Sequence, residues 1–188
     1  MKQALSLLAV LLLTLIGCVT EGVCLGSRNE YYLQLGIKMF PSLVGGNLDL
    51  AAQKNAAGKL LLLVVYRENR ASGEQVANTL NNSIQVIDQF PIQVALCMVD
   101  ECRAFAQEAV AGVFLAEPLT ARQIEAIKQF SIHTKAVLFS PFEGDVQNGI
   151  MTGLFISTQV KPALNLLTLR QSGIRMNTLF LKVAKTYE

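Results

Sequence analysis

The chain has 188 residues, 52% of them hydrophobic and 16% charged, with a formal net charge of +2. That length suits one compact domain rather than two. So small a positive surplus, with no clustered basic stripe, argues against nucleic acid as a partner.

Part of the hydrophobic excess lies in residues 7–16, an apolar run interrupted only by Thr14 and preceded by a short basic region at Lys2. The run falls short of the roughly 20 residues that span a bilayer and reads as the core of a secretory signal. Residues 1–26 are therefore expected to be a leader, and residues 27–188 a domain exported to the periplasm. Leu15-Ile16-Gly17-Cys18 resembles a bacterial lipobox. On that reading the leader ends at 17, and Cys18 carries a lipid that anchors the protein to the membrane. Ordinary cleavage within residues 23–27, where Gly22 and Gly26 offer small side chains, leaves a lipid-free periplasmic protein instead.

Residues 29–40 place Tyr31, Tyr32, Leu35 and Met39 near one helical stripe, weakened by Gly36 and stopped by Pro41. Residues 41–47, with Gly45-Gly46, read as a turn, and 48–57 as a short helix. The stretch 59–66 (KLLLLVVY) has no polar alternation, which predicts a strand covered on both faces and makes it the organising element. An amphipathic helix follows over 74–83, with Val76 and Leu80 four apart. A short strand over 84–87 precedes a longer one over 91–97, where Pro91 is tolerated at the start. Residues 101–109 read as a helix and 112–115 as an apolar strand. Thr120 and Gln123 form a capping box for a helix over 121–129, continued apolar by Phe130, and 136–139 is a buried strand.

This alternation predicts the α/β class: a single three-layer domain with a mostly parallel sheet flanked by helices. Segments 150–157 and 162–167 predict a C-terminal hairpin at the sheet edge. Gly173 breaks the chain, and Asn177 caps a last helix over 178–185 with Leu179 and Val183 facing inward.

Arg67 and Arg70 follow the organising strand, Asp100 and Arg103 follow the 91–97 strand, and Glu143 and Asp145 follow the 136–139 strand. Open α/β sheets place ligands at such carboxyl ends, so these six residues form the expected partner or ligand surface. Cys97 and Cys102 either pair across a tight loop, gaining on the order of 2 kcal/mol, or stay as two inert buried thiols. Their spacing is not CxxC and no histidine stands near them, so neither redox catalysis nor zinc follows. His133 is the only histidine, and no nucleophile signature accompanies it. No catalytic residue, metal ligand or cofactor is therefore expected. Asn165, between Leu164 and Leu166, is expected to be partly buried and to tie the hairpin to the Ser172-Gly173 turn. Left unsatisfied, it would cost about 1–3 kcal/mol.

In the tail, Gly149-Ile150-Met151, Leu154-Phe155-Ile156, Asn165-Leu166, Gly173-Ile174 and residues 179–184 follow one another in a pattern that resembles the YfiR/HmsC-like family of periplasmic proteins. The chain departs from that pattern at Lys161-Pro162-Ala163-Leu164, where an Arg-Phe-Glu strand is usual. It has the single Gly149 for a glycine pair, and it lacks the mid-chain Cys-His pair. The resemblance implies a compact α/β domain without an enzyme active site. It further implies a regulatory partner of an inner-membrane signalling protein, such as a diguanylate cyclase or sensor kinase, with homodimers and a redox response compatible with Cys97 and Cys102. A periplasmic small-molecule-binding module is the alternative.

Overall fold

The computed structural model describes the backbone of residues 20–188 and side chains from residue 28 onward. The expected leader core and Cys18 lie outside the described residues. The chain divides into two compact units, Met1–Tyr32 and Leu33–Glu188. Within the first, Arg28 Nε donates to the Tyr32 hydroxyl at 3.0 Å, and the Tyr31 and Tyr32 rings lie 6.1 Å apart.

In chain order the elements are α1 (Thr20–Gly45), a 3-10 turn (Leu50–Gln53), β1 (Leu60–Tyr66), α2 (Arg70–Ser83), β2 (Val86–Ile87) and β3 (Phe90–Met98). A 3-10 segment (Val99–Phe105), β4 (Val110–Leu115), α3 (Ala121–Thr134), β5 (Val137–Ser140), β6 (Thr152–Ile156) and β7 (Val160–Asn165) follow. The chain closes with α4 (Leu166–Ser172), α5 (Thr178–Val183) and β8 (Lys185–Tyr187).

Among the described residues the strands form one sheet in the order β2-β3-β1-β4-β5-β6-β7-β8. β1 pairs in parallel with both β3 and β4, and the parallel run continues through β5 to β6. The five strands β3-β1-β4-β5-β6 therefore follow a doubly wound order, with the crossovers diverging between β1 and β4. Every β1 residue from Leu60 to Val65 is buried, as a central strand covered on both faces requires. The predicted hairpin is β6 antiparallel to β7, with the three-residue β8 added in parallel on its outer side.

α1 runs on through Pro41 to Gly45, where the sequence predicts a stop. Proline inside a helix costs about 3 kcal/mol. Phe40, Leu43 and Val44 are completely buried, and each returns about 1.5–3 kcal/mol, so packing prevails over the lost hydrogen bond. Gly36, a weak helix former, lets this helix approach the sheet, since a Cβ there would sit 2.9 Å from Phe139 and Pro141. A Cβ on Gly112 would likewise meet Phe40 at 2.7 Å. In the gap stand Phe40, Phe114 and Phe139, with ring centroids 5.3–5.7 Å apart.

Four other expectations fail locally. Residues 101–109 form no α-helix but a 3-10 segment ending at Phe105, and 48–57 holds only the four-residue 3-10 turn. The last helix ends at Val183, and Lys185 belongs to β8. Leu179 and Val183 are 64% and 47% exposed rather than inward. In so short a helix Phe180 takes the inward place, its ring where a Cβ on Gly46 would lie.

Candidate functional site

The carboxyl ends of β1 and β4 frame the crevice at which a doubly wound sheet places ligands. Here that crevice holds a group of the chain itself. Glu117 Oε2 accepts the backbone N–H groups of Arg67, Glu68 and Asn69 at 2.6, 2.9 and 3.0 Å. Three donors converging just ahead of α2 form an anion nest, and Glu117 fills it. Asn69 caps α2 by accepting from the Ser72 N–H at 3.1 Å. Sequence reading missed Glu117; the only cue was a carboxylate placed two residues beyond a fully apolar strand.

Of the six residues expected to share one surface, Asp100 and Arg103 line one concavity and Asp145 is buried. Arg67 pairs with Glu68 at 3.1 Å, off the line of its Nε–H, and Arg70 pairs with Glu74 at 2.8 Å one turn along α2. Both guanidiniums are thus balanced by neighbours in sequence. Glu143 is exposed on the loop after β5. Asp145 is buried and is a structural pin rather than part of a surface. Its Oδ2 accepts from the Ser140 hydroxyl at 2.5 Å, while Ser140 Oγ accepts from the Phe142 N–H. A side chain shut in by the β5–β6 loop has no surface to offer a partner.

Burial pushes the Asp145 carboxyl above its ordinary range, and the Ser140 hydrogen bond opposes that rise. The folded chain then holds the proton to higher pH than the unfolded chain, whose aspartates titrate near about 3.9. The Asp145 contribution to stability is therefore greatest below that value and is lost as pH rises through the folded value. Urea titrations of wild type and Asp145→Asn across the acid range should show the wild type losing ground to the variant as pH rises. A flat or opposite difference contradicts this account.

Asp100 and Arg103 do meet a concavity. The 3-10 segment Val99–Phe105 and helix α3 enclose a groove seen as two overlapping cavities of about 540 and 650 Å³. Arg103, Arg122, Ala126 and Phe130 line both. Cys102 and Ile127 add to the floor at one end, and His133 stands at the other. The first turn of α3 is closed to ligands by its own predicted capping box, in which the Gln123 N–H donates to Thr120 Oγ1 and the Thr120 N–H to Gln123 Oε1.

Beneath the groove Cys97 and Cys102 are buried free thiols with their sulfurs 2.8 Å apart. Their hydrogen bond holds the Cys97 thiol below its ordinary range and pushes Cys102 up, with burial adding to the latter. Asn165 is buried as expected, but its partners differ. Nδ2 donates to the Val146 carbonyl at 2.9 Å and Oδ1 accepts from the Thr168 N–H at 2.9 Å. It thus caps α4 and ties the hairpin to the turn before β6, not to Ser172-Gly173.

Among the described residues no group of three His, Cys, Asp or Glu side chains is placed to hold a metal ion. Among the same residues no helix is long and apolar enough to cross a membrane.

The fold is an α/β domain of doubly wound order with a groove between the Val99–Phe105 segment and α3. No protein-family model and no curated protein matches the chain. Among solved structures it is similar to an ABC domain from Streptococcus pneumonia in complex with L-Trp, at 10% identity and a TM-score of 0.46. The likeness covers 77% of this chain and spans 61% of that one.

Proposed function

We propose that the chain is a non-catalytic binding module of the periplasm that takes a small molecule in the groove between the Val99–Phe105 segment and α3. One observation carries the reading: Ala126, Ile127 and Phe130 line a concavity of ligand size together with two arginines. The switch-point crevice is no rival, because Glu117 already satisfies its donors. The test is amide NMR during titration with a panel of amino acids, organic acids and sugars. Shifts should cluster at Arg103, Ala126, Gln129 and His133, and Ala126→Trp should abolish them. Shifts confined to another face overturn the reading.

A second reading draws on the tail, whose likeness to the YfiR/HmsC-like family supports a regulator of an inner-membrane diguanylate cyclase or sensor kinase. Leu167, Leu179 and Val183 are exposed apolar side chains of α4 and α5, available to a protein partner. Under this reading Cys97 and Cys102 form a reversible disulfide in an oxidising compartment. Mild oxidation should then lower the intact mass by two hydrogens, and Cys102→Ser should prevent it. Crosslinking in cell envelopes that recovers no integral-membrane signalling protein would count against the partner.

A further inference from the structure

We propose that the groove selects a small organic monoanion: one singly charged head, carboxylate or sulfonate, on an apolar body of ring size. The proposal rests on the groove being the binding site and adds the chemistry of its ligand. Its starting point is how the arginines are distributed. Arg28, Arg67, Arg70, Arg170 and Arg175 each hold a hydrogen-bonding or ionic partner within the chain. Among the described residues, Arg103 and Arg122 hold none, and these are the two arginines that line the groove. A guanidinium presents a planar fork suited to two oxygens of one anion.

The charge at the groove's rim is one positive unit in excess. Glu125, at the same rim, is already held by Lys128 at 2.5 Å and Gln129 at 2.8 Å, which leaves Asp100 as the carboxylate to set against the two arginines. An excess of one matches a monoanion better than a dianion. The floor adds the second requirement. Phe130 and Ile127 are buried side chains of α3, and the exposed Ala126 lines the same groove as the two arginines with a side chain of one carbon. An ion without an apolar body would leave Ala126 in water and make no contact with the exposed edge of Phe130.

The test uses the full chain and three probes in calorimetric titration: 2-naphthoate, the neutral naphthalene-2-methanol, and acetate. Naphthoate should bind about tenfold or more tightly than the alcohol, and acetate should not bind measurably. Arg103→Gln and Arg122→Gln are exposed substitutions that should each weaken naphthoate about tenfold while leaving the alcohol unchanged. Ala126→Trp should abolish both. Equal binding of acid and alcohol, or indifference to both glutamine variants, overturns the anion preference. The groove itself survives that result if Ala126→Trp still removes the alcohol. Binding that ignores Ala126→Trp, or no binding of either aromatic probe, overturns the groove as well.

Discussion

Phe114→Ala should lower unfolding stability by about 3–5 kcal/mol, the range for truncating a buried aromatic. Phe114 is completely buried in β4, with its ring 5.4 Å from Phe40 and 5.3 Å from Phe139. Each such aromatic pair adds about 0.5–1.5 kcal/mol beyond the area it removes from water. The hole would not close readily, because its walls are held on three elements: α1, β4 and β5. Ring contact with the tight approach at Gly36, where a Cβ would lie 3.3 Å from Phe114 Cζ, leaves little slack elsewhere. Domain stabilities run about 5–15 kcal/mol, so the variant should keep only part of its margin. Urea unfolding of both proteins measures the difference. A loss under about 1 kcal/mol would mean that the three rings do not form the centre of the core.

Asn165→Ala should cost about 1–3 kcal/mol. The helix cap on Thr168 contributes about 0.5–2 kcal/mol. The Val146 carbonyl keeps the Gly149 N–H at 3.2 Å but loses the Asn165 amide, which adds about 0.5–1.5 kcal/mol. Thr168 Oγ1 donates to the Gly149 carbonyl at 2.8 Å, and the Asn165 N–H to the Met151 carbonyl at 2.9 Å, so one network holds the 146–151 turn against the start of α4. Asn165→Asp keeps the cap but sets a carboxylate against the Val146 carbonyl, and it should rescue little. Hydrogen exchange at the Thr168 amide should quicken in Asn165→Ala and stay protected in Asn165→Asp. Unchanged protection there in Asn165→Ala, with a stability loss below about 0.5 kcal/mol, would remove Asn165 from this role.

Where one local pattern dominates, the residues announce their own structure. Leu60 to Val65 leave no polar face, so β1 had to be central, and its flanking helices follow from that burial. The Thr120–Gln123 cap and the Asn177 cap are written in side chains that satisfy backbone donors a few residues away, and both form. The signal at Pro41 is equally local, but it loses to three side chains buried by a sheet made from distant segments. Residues 101–109 show the same limit: helical periodicity does not reveal that the chain must turn tightly after β3 to reach β4.

The functional face divides in the same way. That charged residues cluster after the parallel strands was legible, because the doubly wound order brings those loops to one edge. Which of them stay available was not. Arg67 and Arg70 are balanced by nearby glutamates, and Asp145 turns inward to Ser140. Glu117 crosses 50 residues of sequence to fill the crevice, and Arg122, which no strand-end rule marks, joins Arg103 over the groove.

The chain's own order of apolar runs and caps determined its class, its central strand and the end of the sheet that carries its polar loops. Only the tertiary structure decided which charges find partners and which remain open to a ligand. Hydrophobic periodicity acts over a few residues and survives in any one-dimensional reading. Charge pairing depends on distances of a few ångströms between loops that meet only once the sheet has closed.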